Sequence, residues 1–237
     1  MKNKTKKYFI KYSLEFFVIV LGITFSFFLQ NVRQEKELDS KRQLIISNLL
    51  DELESNQNYI TKRKSEFVRE MDYVNKLLND SLTFKMFEEY PKESSPLNPF
   101  FSVLRFEPSS STYNSLVNDG SLNLIKSSEV KTLINEVYKS KINYLNYFVD
   151  AEYKAAIEVE RIFINNYPEI YLRNFWFNYS DKKLINNVFQ IMKKDIHFKA
   201  LMVQKISFME VKIGALNSYA KQRDSLITLL KKKKLIF

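Results

Sequence analysis

Residues 16–29 read FFVIVLGITFSFFL, a stretch without charge in which only Thr24 and Ser26 carry polar side chains. Extended to Ile10 and Val32 it covers about 23 residues, and an α-helix needs about 20 to cross a bilayer. No second stretch of the chain is as long and as apolar. The sequence therefore predicts one transmembrane helix over residues 12–32. Its anchor residues include Phe16, Leu21, Gly22, Phe25 and Leu29.

The basic residues around this span predict its orientation. Five lysines precede it with no acid before Glu15, whereas the bases that follow it are mixed with acids. Because the denser cluster of bases stays inside the cell, we expect residues 1–11 in the cytoplasm and the rest of the chain, from residue 33, outside it. A cleaved signal peptide is the alternative, but it needs small residues before the cut, where this chain has Phe27, Phe28 and Leu29. We therefore expect an uncleaved signal-anchor.

Glu15 is the one acid within the candidate span. Charged groups inside a membrane are costly and mark functional sites, which makes Glu15 a candidate for an intramembrane polar role. It also lies four residues after Lys11, so the two side chains can pair along one face of the helix at the interface. The sequence favours interfacial pairing.

Composition places the remainder among all-α proteins. The 237 residues include only three glycines and five prolines, so turns are scarce and long helices are expected. The absence of cysteine excludes disulfides and thiolate metal sites.

Nine lysines in residues 1–11 and 231–234 account for almost all of the net charge of +10. This distribution argues against nucleic-acid binding and fits anionic lipid head groups, although for the last four lysines the sequence favours a solvated tail over 231–237.

A seven-residue repeat of apolar residues follows the span, where the chain lacks glycine and proline from residue 23 to residue 90. This spacing of about 3.5 residues predicts a helix over residues 33–80 that packs either within a bundle or against a second copy as a coiled coil. The first row is Ile46, Leu53, Ile60, Phe67 and Val74. A second row, taken four residues later, is Leu50, Gln57, Lys64, Met71 and Leu78, with a polar gap at its centre.

The rest of the domain, residues 33–230, is predicted from its breaks. Residues 88–111 hold four prolines and form an irregular segment. A short helix then starts near Thr112 and ends at Gly120, where a left-handed cap is expected. Long helices follow over residues 128–166, up to Pro168, and from Asp181 to about residue 230. The predicted fold is all-α, with the transmembrane helix continuing into an antiparallel bundle of three long helices plus one or two short ones.

These features together resemble the bacterial domain-of-unknown-function family 6090. On the anchor side the resemblance lies in Glu15, Gly22-Ile23 and Gln30-Asn31, although Val32-Arg33 stands where family members often have a tryptophan. In the domain it lies in Thr112, Tyr113, Leu116, Gly120, Leu122, Leu124-Ile125 and Val137-Tyr138. The resemblance implies a single-pass inner-membrane protein with a helical periplasmic domain, and no activity, cofactor or catalytic residue.

Catalytic patterns are missing from the sequence. His197 is the only histidine, and there is no Walker loop, GxGxxG, GxSxG or HExxH. We therefore expect no enzyme, no cofactor and no metal site.

The sequence favours an envelope interaction or scaffolding module, with the lipid bilayer and an envelope protein as partners and a homo-oligomer as an open question. The alternative is a periplasmic ligand-sensing domain that signals laterally through a partner's membrane helix. A hydrolase with an unrecognised cleft is a third hypothesis.

Overall fold

The computed structural model describes the backbone of residues 2–90 and 95–234 and the side chains of residues 14–90 and 95–232. Within these ranges the protein is all-helical and contains no strand, as the composition predicts. The side chains of the basic residues 1–11, the centre of the irregular segment at residues 91–94 and the last three residues of the tail lie outside the described residues.

Helix α1 (Lys2–Leu78) is one uninterrupted helix that contains both the apolar span and the first helix of the domain. No proline removes a backbone donor along it and Gly22 is its only glycine, so nothing in the sequence breaks the hydrogen-bond ladder. The helix ends where Asp80 takes a φ of 60° and the Leu82 amide donates to the carbonyl of Lys76 at 2.9 Å. The anchor and the domain are therefore joined without a linker.

Short helices fill the region between α1 and the next long helix. They are α2 (Phe84–Glu88), α3 (Asn98–Phe101) and α4 (Ser111–Asn118), followed by a 3-10 turn over Ser121–Leu124. Gly120 has a φ of 74°, so the left-handed cap predicted there is confirmed. The described residues contain more short helices than the one or two predicted, because the chain forms separate helical turns at α2, at α3 and at Pro168–Tyr171.

The second long helical segment starts at α5 (Ser128–Asn135), continues through a π-helical turn (Glu136–Ser140) and ends as α6 (Lys141–Asn166). The Ser127 side chain accepts a hydrogen bond from the amide of Val130 and caps α5, as predicted. Pro168 then opens the short helix α7 (Pro168–Tyr171). A single helix over residues 128–166 is thus confirmed, apart from its π-helical turn.

The last predicted helix is in fact two, α8 (Lys182–Lys194) and α9 (Ile196–Lys234). Asp195 separates them with an extended backbone, and its carboxylate accepts a hydrogen bond from the amide of Phe198 at 2.9 Å. The prediction of one helix was wrong here because the aspartate caps the start of α9 instead of continuing α8.

Helix α9 packs against both α1 and α6. On α1, Glu54 lies 2.7 Å from Lys231 of α9 and the ring of Phe67 lies 4.4 Å from the Lys212 ammonium. Just after the end of α1, Asp80 lies 3.2 Å from Lys199. Two apolar clusters result. One is near the span, around Leu49, Leu53 and Tyr219, and the other is at the far end, around Phe87, Phe163 and Phe198.

The inward face of α1 differs from the predicted one in its second row. All five residues of the first row are buried. In the predicted second row Leu50 is buried and Met71 and Leu78 are half-buried, whereas Gln57 and Lys64 are exposed. The residues that face inward most strongly lie one position earlier. The actual second row is Leu49, Asn56, Arg63, Glu70 and Leu77. It therefore buries the Asn56 amide and the Glu70 carboxyl group, with the half-buried Arg63 between them.

Candidate functional site

The anchor residues form a fully exposed part of α1. Phe16, Leu21, Phe25 and Leu29 are between 52% and 67% exposed, and no other part of the protein approaches Gly22. The hydroxyls of Thr24 and Ser26 donate to the carbonyls four residues earlier at 2.8 Å, so they are satisfied within the helix. Within the described residues, one helix is long and apolar enough to span a membrane, and it is this one.

Glu15 lies in the same exposed part of α1, one turn before the most apolar residues. The side chain of Lys11 lies outside the described residues, so their pairing stays a prediction.

The Glu52 carboxylate organises the residues that carry the family resemblance. It lies on the inward face of α1 and accepts hydrogen bonds from the Thr112 amide at 2.6 Å and from the Ser111 hydroxyl at 3.1 Å. The Tyr113 amide reaches its second oxygen at 3.4 Å. A carboxylate at this position satisfies the free amides at the start of α4 and interacts favourably with the helix dipole. Glu52 thus caps a helix that is about 60 residues distant in sequence.

The other residues of the resemblance pack around this cap. The rings of Tyr113 and Tyr138 stack with centroids 4.6 Å apart, and Leu116 and Ile125 are buried in the same cluster, with Leu122 half-buried beside them. Burial, together with the nearby charge of Glu52, raises the pKa of the Tyr138 hydroxyl. Tyr138 lies in the π-helical turn, whose extra residue locally shifts the face that the helix presents. The residues around the Glu52 cap therefore pack α1, α4 and α5 against one another.

A second polar group lies deeper, where α1, α6 and α9 meet. The Glu152 side chain is 1% exposed and forms ion pairs with Lys205, at 2.8 Å, and with Lys212. Lys205 also donates to the carbonyl of Ser102 at 2.9 Å. Glu70 of α1 is 6% exposed and is the fourth charged residue here. We refer to Glu70, Glu152, Lys205 and Lys212 as the buried charge cluster.

The two acids of the buried charge cluster are in different situations. Glu152 is held between two ammonium groups, whereas Glu70 interacts with the same lysines at longer range. Burial raises the pKa of Glu70 to about 7, against the opposing effect of Lys205 and Lys212. Burial also lowers the pKa of Lys212, against the effect of Glu152. A carboxyl group that exchanges its proton near neutral pH therefore lies inside the domain.

Sequence reasoning missed the buried charge cluster. Glu70, Lys205 and Lys212 are residue types that usually lie on solvated helix faces, and nothing in their local sequence marks them as buried. The available signal was the alternative second row of α1, three residues after the first, which is the usual spacing of a and d positions. Glu152, by contrast, occupies an otherwise apolar face of α6 with Leu145, Val149 and Val159.

A cavity of about 450 Å³ lies at the end of the domain nearest the span. Its apolar part consists of Ile46, Ile125, Val130 and Leu230, and its polar part includes Arg42 and the start of α5. Arg42 is already engaged, because its Nε donates to the carbonyl of Leu124 at 3.1 Å and its guanidinium pairs with Asp39. The aromatic residues Phe100, Phe106 and Phe175 lie in the core instead of lining a cavity, whereas Phe177 and Tyr179 are exposed. Phe101 and Trp176 meet edge to face at 4.4 Å.

The far end of the domain exposes large apolar side chains. Leu172 is 84% exposed, Phe177 79% and Ile196 71%. The loop that carries Leu172 and Phe177 is held in place by the burial of Phe175 and by the ion pair between Arg173 and Asp181 at 2.6 Å. These are the three most exposed large apolar side chains among the described residues.

No group of three or more potential metal ligands occurs in the part of the chain that the structure describes. His197 is exposed and lines a shallow groove with Glu158 and Arg161. It lies outside the buried charge cluster.

No family model, curated protein or solved structure matches this chain.

Proposed function

We propose that this chain is a single-pass membrane protein whose helical domain is an interaction and scaffolding module of the bacterial envelope. In this proposal residues 12–32 are an uncleaved signal-anchor in the inner membrane, residues 1–11 are cytoplasmic, and residues 33–230 form an antiparallel helical bundle in the periplasm. The observation that carries it is α1, which runs unbroken from the exposed apolar span into the core of the domain.

The antiparallel arrangement is supported by the order of contacts between α1 and α9. Glu54 and Phe67 of α1, and Asp80 just after its end, meet Lys231, Lys212 and Lys199 of α9, so the residue numbers rise along α1 while they fall along α9. Leu78, at the far end of α1, is about 70 Å from Val32 at a rise of 1.5 Å per residue. The exposed residues Leu172, Phe177 and Ile196 lie at that far end and are suited to contact with another envelope protein.

Reporter fusions test the anchor and its orientation. A periplasm-dependent reporter such as alkaline phosphatase, fused after Phe237, is expected to be active, and a fluorescent protein that folds only in the cytoplasm is expected to be dark. Leu21→Arg with Phe25→Arg should release the protein from sodium carbonate-washed membranes, because two arginines at mid-span oppose insertion. Activity of the cytoplasmic reporter, or a mature chain that begins after Gln30, would contradict the proposal.

Crosslinking from the far end tests the scaffolding role. A photoreactive amino acid at Phe177 should give a discrete crosslinked product in intact cells, and the same group at Tyr153, exposed on α6, serves as the control. Recovery of the uncrosslinked monomer alone from both positions would contradict an interaction module.

The second candidate function is a ligand-sensing domain that signals laterally through a partner's membrane helix. The 450 Å³ cavity at the end of the domain nearest the span is the observation in its favour, because its size suits a small molecule. Ile46→Trp would fill this cavity. If sensing is the function, this variant should abolish the response to the ligand while leaving the amount of protein in the membrane unchanged.

A further inference from the structure

The domain comes back towards the apolar span at the segment before α5, residues 121–127. There the Lys126 ammonium lies 3.9 Å from the Glu35 carboxylate of α1, and the Arg42 guanidinium lies 3.8 Å from the same carboxylate. Glu35 is only three residues after Val32, where the proposed span ends. Lys126 is therefore held next to the point at which α1 leaves the apolar stretch.

The height of this contact above the bilayer core follows from helix geometry. Because α1 is one helix from the span into the domain, the backbone of Glu35 stands roughly 4.5 Å beyond Val32, at about 1.5 Å per residue. The polar layer on each side of a bilayer is about 5–8 Å thick, since the hydrocarbon core takes about 30 Å of a total of about 40–45 Å. Glu35 thus lies within the headgroup layer, and Lys126 reaches that layer from the domain.

The charges at this height leave an excess of one base. Within residues 33–37 and at Lys126, the bases are Arg33, Lys36 and Lys126. The acids are Glu35 and Glu37, and Glu37 already pairs with Arg33 at 3.3 Å. The remaining positive charge is complementary to the phosphodiester groups of phospholipids, which lie in the same layer.

Lys126 can exchange Glu35 for a phosphate at little cost. Its side chain is 63% exposed and that of Glu35 is 62% exposed, and an ion pair between two such groups contributes little because water screens it. The backbone around Lys126 is fixed, since the Leu124 carbonyl accepts a hydrogen bond from Arg42 at 3.1 Å and Ile125 is buried. Lys126 is thus a mobile charge on a segment that is firmly attached to α1.

We propose that the segment of residues 121–127 is a lipid-contact surface, at which the domain touches the phospholipid headgroups of the bilayer that holds the span. Lys126 binds lipid phosphate in exchange for Glu35. The contact presupposes the proposed membrane anchor and adds a second point of attachment beside it. Because a single helix can tilt in a bilayer, this second contact fixes which side of the domain faces the lipid.

Collisions between a nitroxide label and a nickel-chelating lipid, whose metal lies in the headgroup layer, test the position of the segment. Because the chain lacks cysteine, one label at a time can be placed on the full chain in phospholipid nanodiscs. The nickel lipid should strongly enhance the relaxation of labels at Lys126→Cys and at Lys36→Cys. It should not affect Tyr153→Cys on α6, because the neighbouring Glu152 pairs with Lys212 at the level of Phe67, about 50 Å from the end of the span.

A label at Phe25→Cys, in the middle of the span, separates failure of the lipid-contact surface from failure of the anchor. It should collide with oxygen dissolved in the hydrocarbon core and hardly with the nickel lipid. If it does so while Lys126→Cys behaves like Tyr153→Cys, the lipid-contact surface is refuted and the anchor stands. If Phe25→Cys behaves like a residue in water, the anchor fails and the lipid-contact surface fails with it.

The reactivity of lysine amines tests the phosphate contact in the wild-type chain. A water-soluble acylating reagent should modify Lys126 about fivefold more slowly in nanodiscs that contain phosphatidylglycerol than in maltoside micelles, which have no phosphate. This factor corresponds to the roughly 1 kcal/mol that a lysine gains near anionic lipids. Lys154, exposed on α6, is the control and should react equally fast in both. Equal rates at Lys126 would overturn its contact with lipid phosphate.

Discussion

At the scale of single residues, polar side chains on the inward face of α1 recognise particular backbone groups of the connecting segment. Asn56 donates to the Ser109 carbonyl at 2.9 Å and accepts from the Ser109 amide at 2.8 Å. Glu52 caps α4 only a few residues later. Such bonds exist only when α1 has one register relative to residues 109–113, so they select that register more than they add stability.

Removal of the cap at α4 measures how much one of these interactions contributes to stability. Glu52→Ala should lower the free energy of unfolding by about 1–3 kcal/mol, because the amides of Thr112 and Tyr113 lose a charged acceptor in a partly buried site. Urea titration of the purified chain measures the loss. Glu158→Ala, which removes an exposed ion pair with Arg161, is the control and should change stability by less than about 1 kcal/mol.

The ion pair between Glu152 and Lys212 provides the second residue-scale prediction. Lys212→Met should destabilise the domain by about 1–3 kcal/mol, since Glu152 loses one of its two lysine partners in the interior and keeps Lys205 at 2.8 Å. The double variant with Glu152→Gln should cost less than the sum of the two single variants, because it leaves fewer charges unpaired. Additive effects in a double-mutant cycle would mean that the two residues are not coupled.

At the scale of helices, two short features decide the connections. Asp195 ends α8 and starts α9, and Gly120 turns the chain between α4 and the following 3-10 turn. Gly120 needs its left-handed backbone, whereas Gly214 lies within α9 and has no such requirement. No heavy atom lies within 4 Å of an added Cβ at either glycine.

Alanine substitution at these two glycines should therefore have opposite effects. Gly120→Ala should destabilise the protein by about 1 kcal/mol or more, because a side chain disfavours a positive φ. Gly214→Ala should stabilise it by about 0.5–1 kcal/mol, because alanine has the higher helix propensity. The comparison requires only thermal or chemical unfolding, and a loss of equal size at both positions would rule out backbone conformation as the cause.

At the scale of the whole molecule, the domain has an apolar span at one end and exposed apolar side chains at the other. Within the far loop, Phe175 is buried and Phe177 is 79% exposed, although they are only two residues apart. Phe175→Ala should cost about 3–5 kcal/mol of stability. Phe177→Ser should change stability by less than about 0.5 kcal/mol, because nothing packs on the ring.

The same pair separates stability from partner contact. If the far end binds an envelope protein, Phe177→Ser should lose the crosslinked product while its unfolding curve matches that of the wild type. Loss of stability in Phe177→Ser would instead assign this ring to the core.

The amino-acid sequence by itself determined the elements whose cause is local. The apolar run predicts the span, the seven-residue repeat predicts the first row of α1, and Gly120, Ser127 and Pro168 mark turns and caps because each acts on its own backbone. Asp195 carried the same kind of signal, although a single long helix was predicted through it.

Only the tertiary structure decided which polar residues lie inside. Glu52, Glu70, Lys205 and Lys212 look like surface residues in the sequence, and their burial depends on partners on other helices. Lys212 and Glu152, for example, are 60 residues apart. The free energy of a buried charge depends on distant neighbours, which no local pattern records. Helix positions and ends could thus be predicted from local rules, whereas the buried charge cluster appeared only when α1, α6 and α9 were brought together.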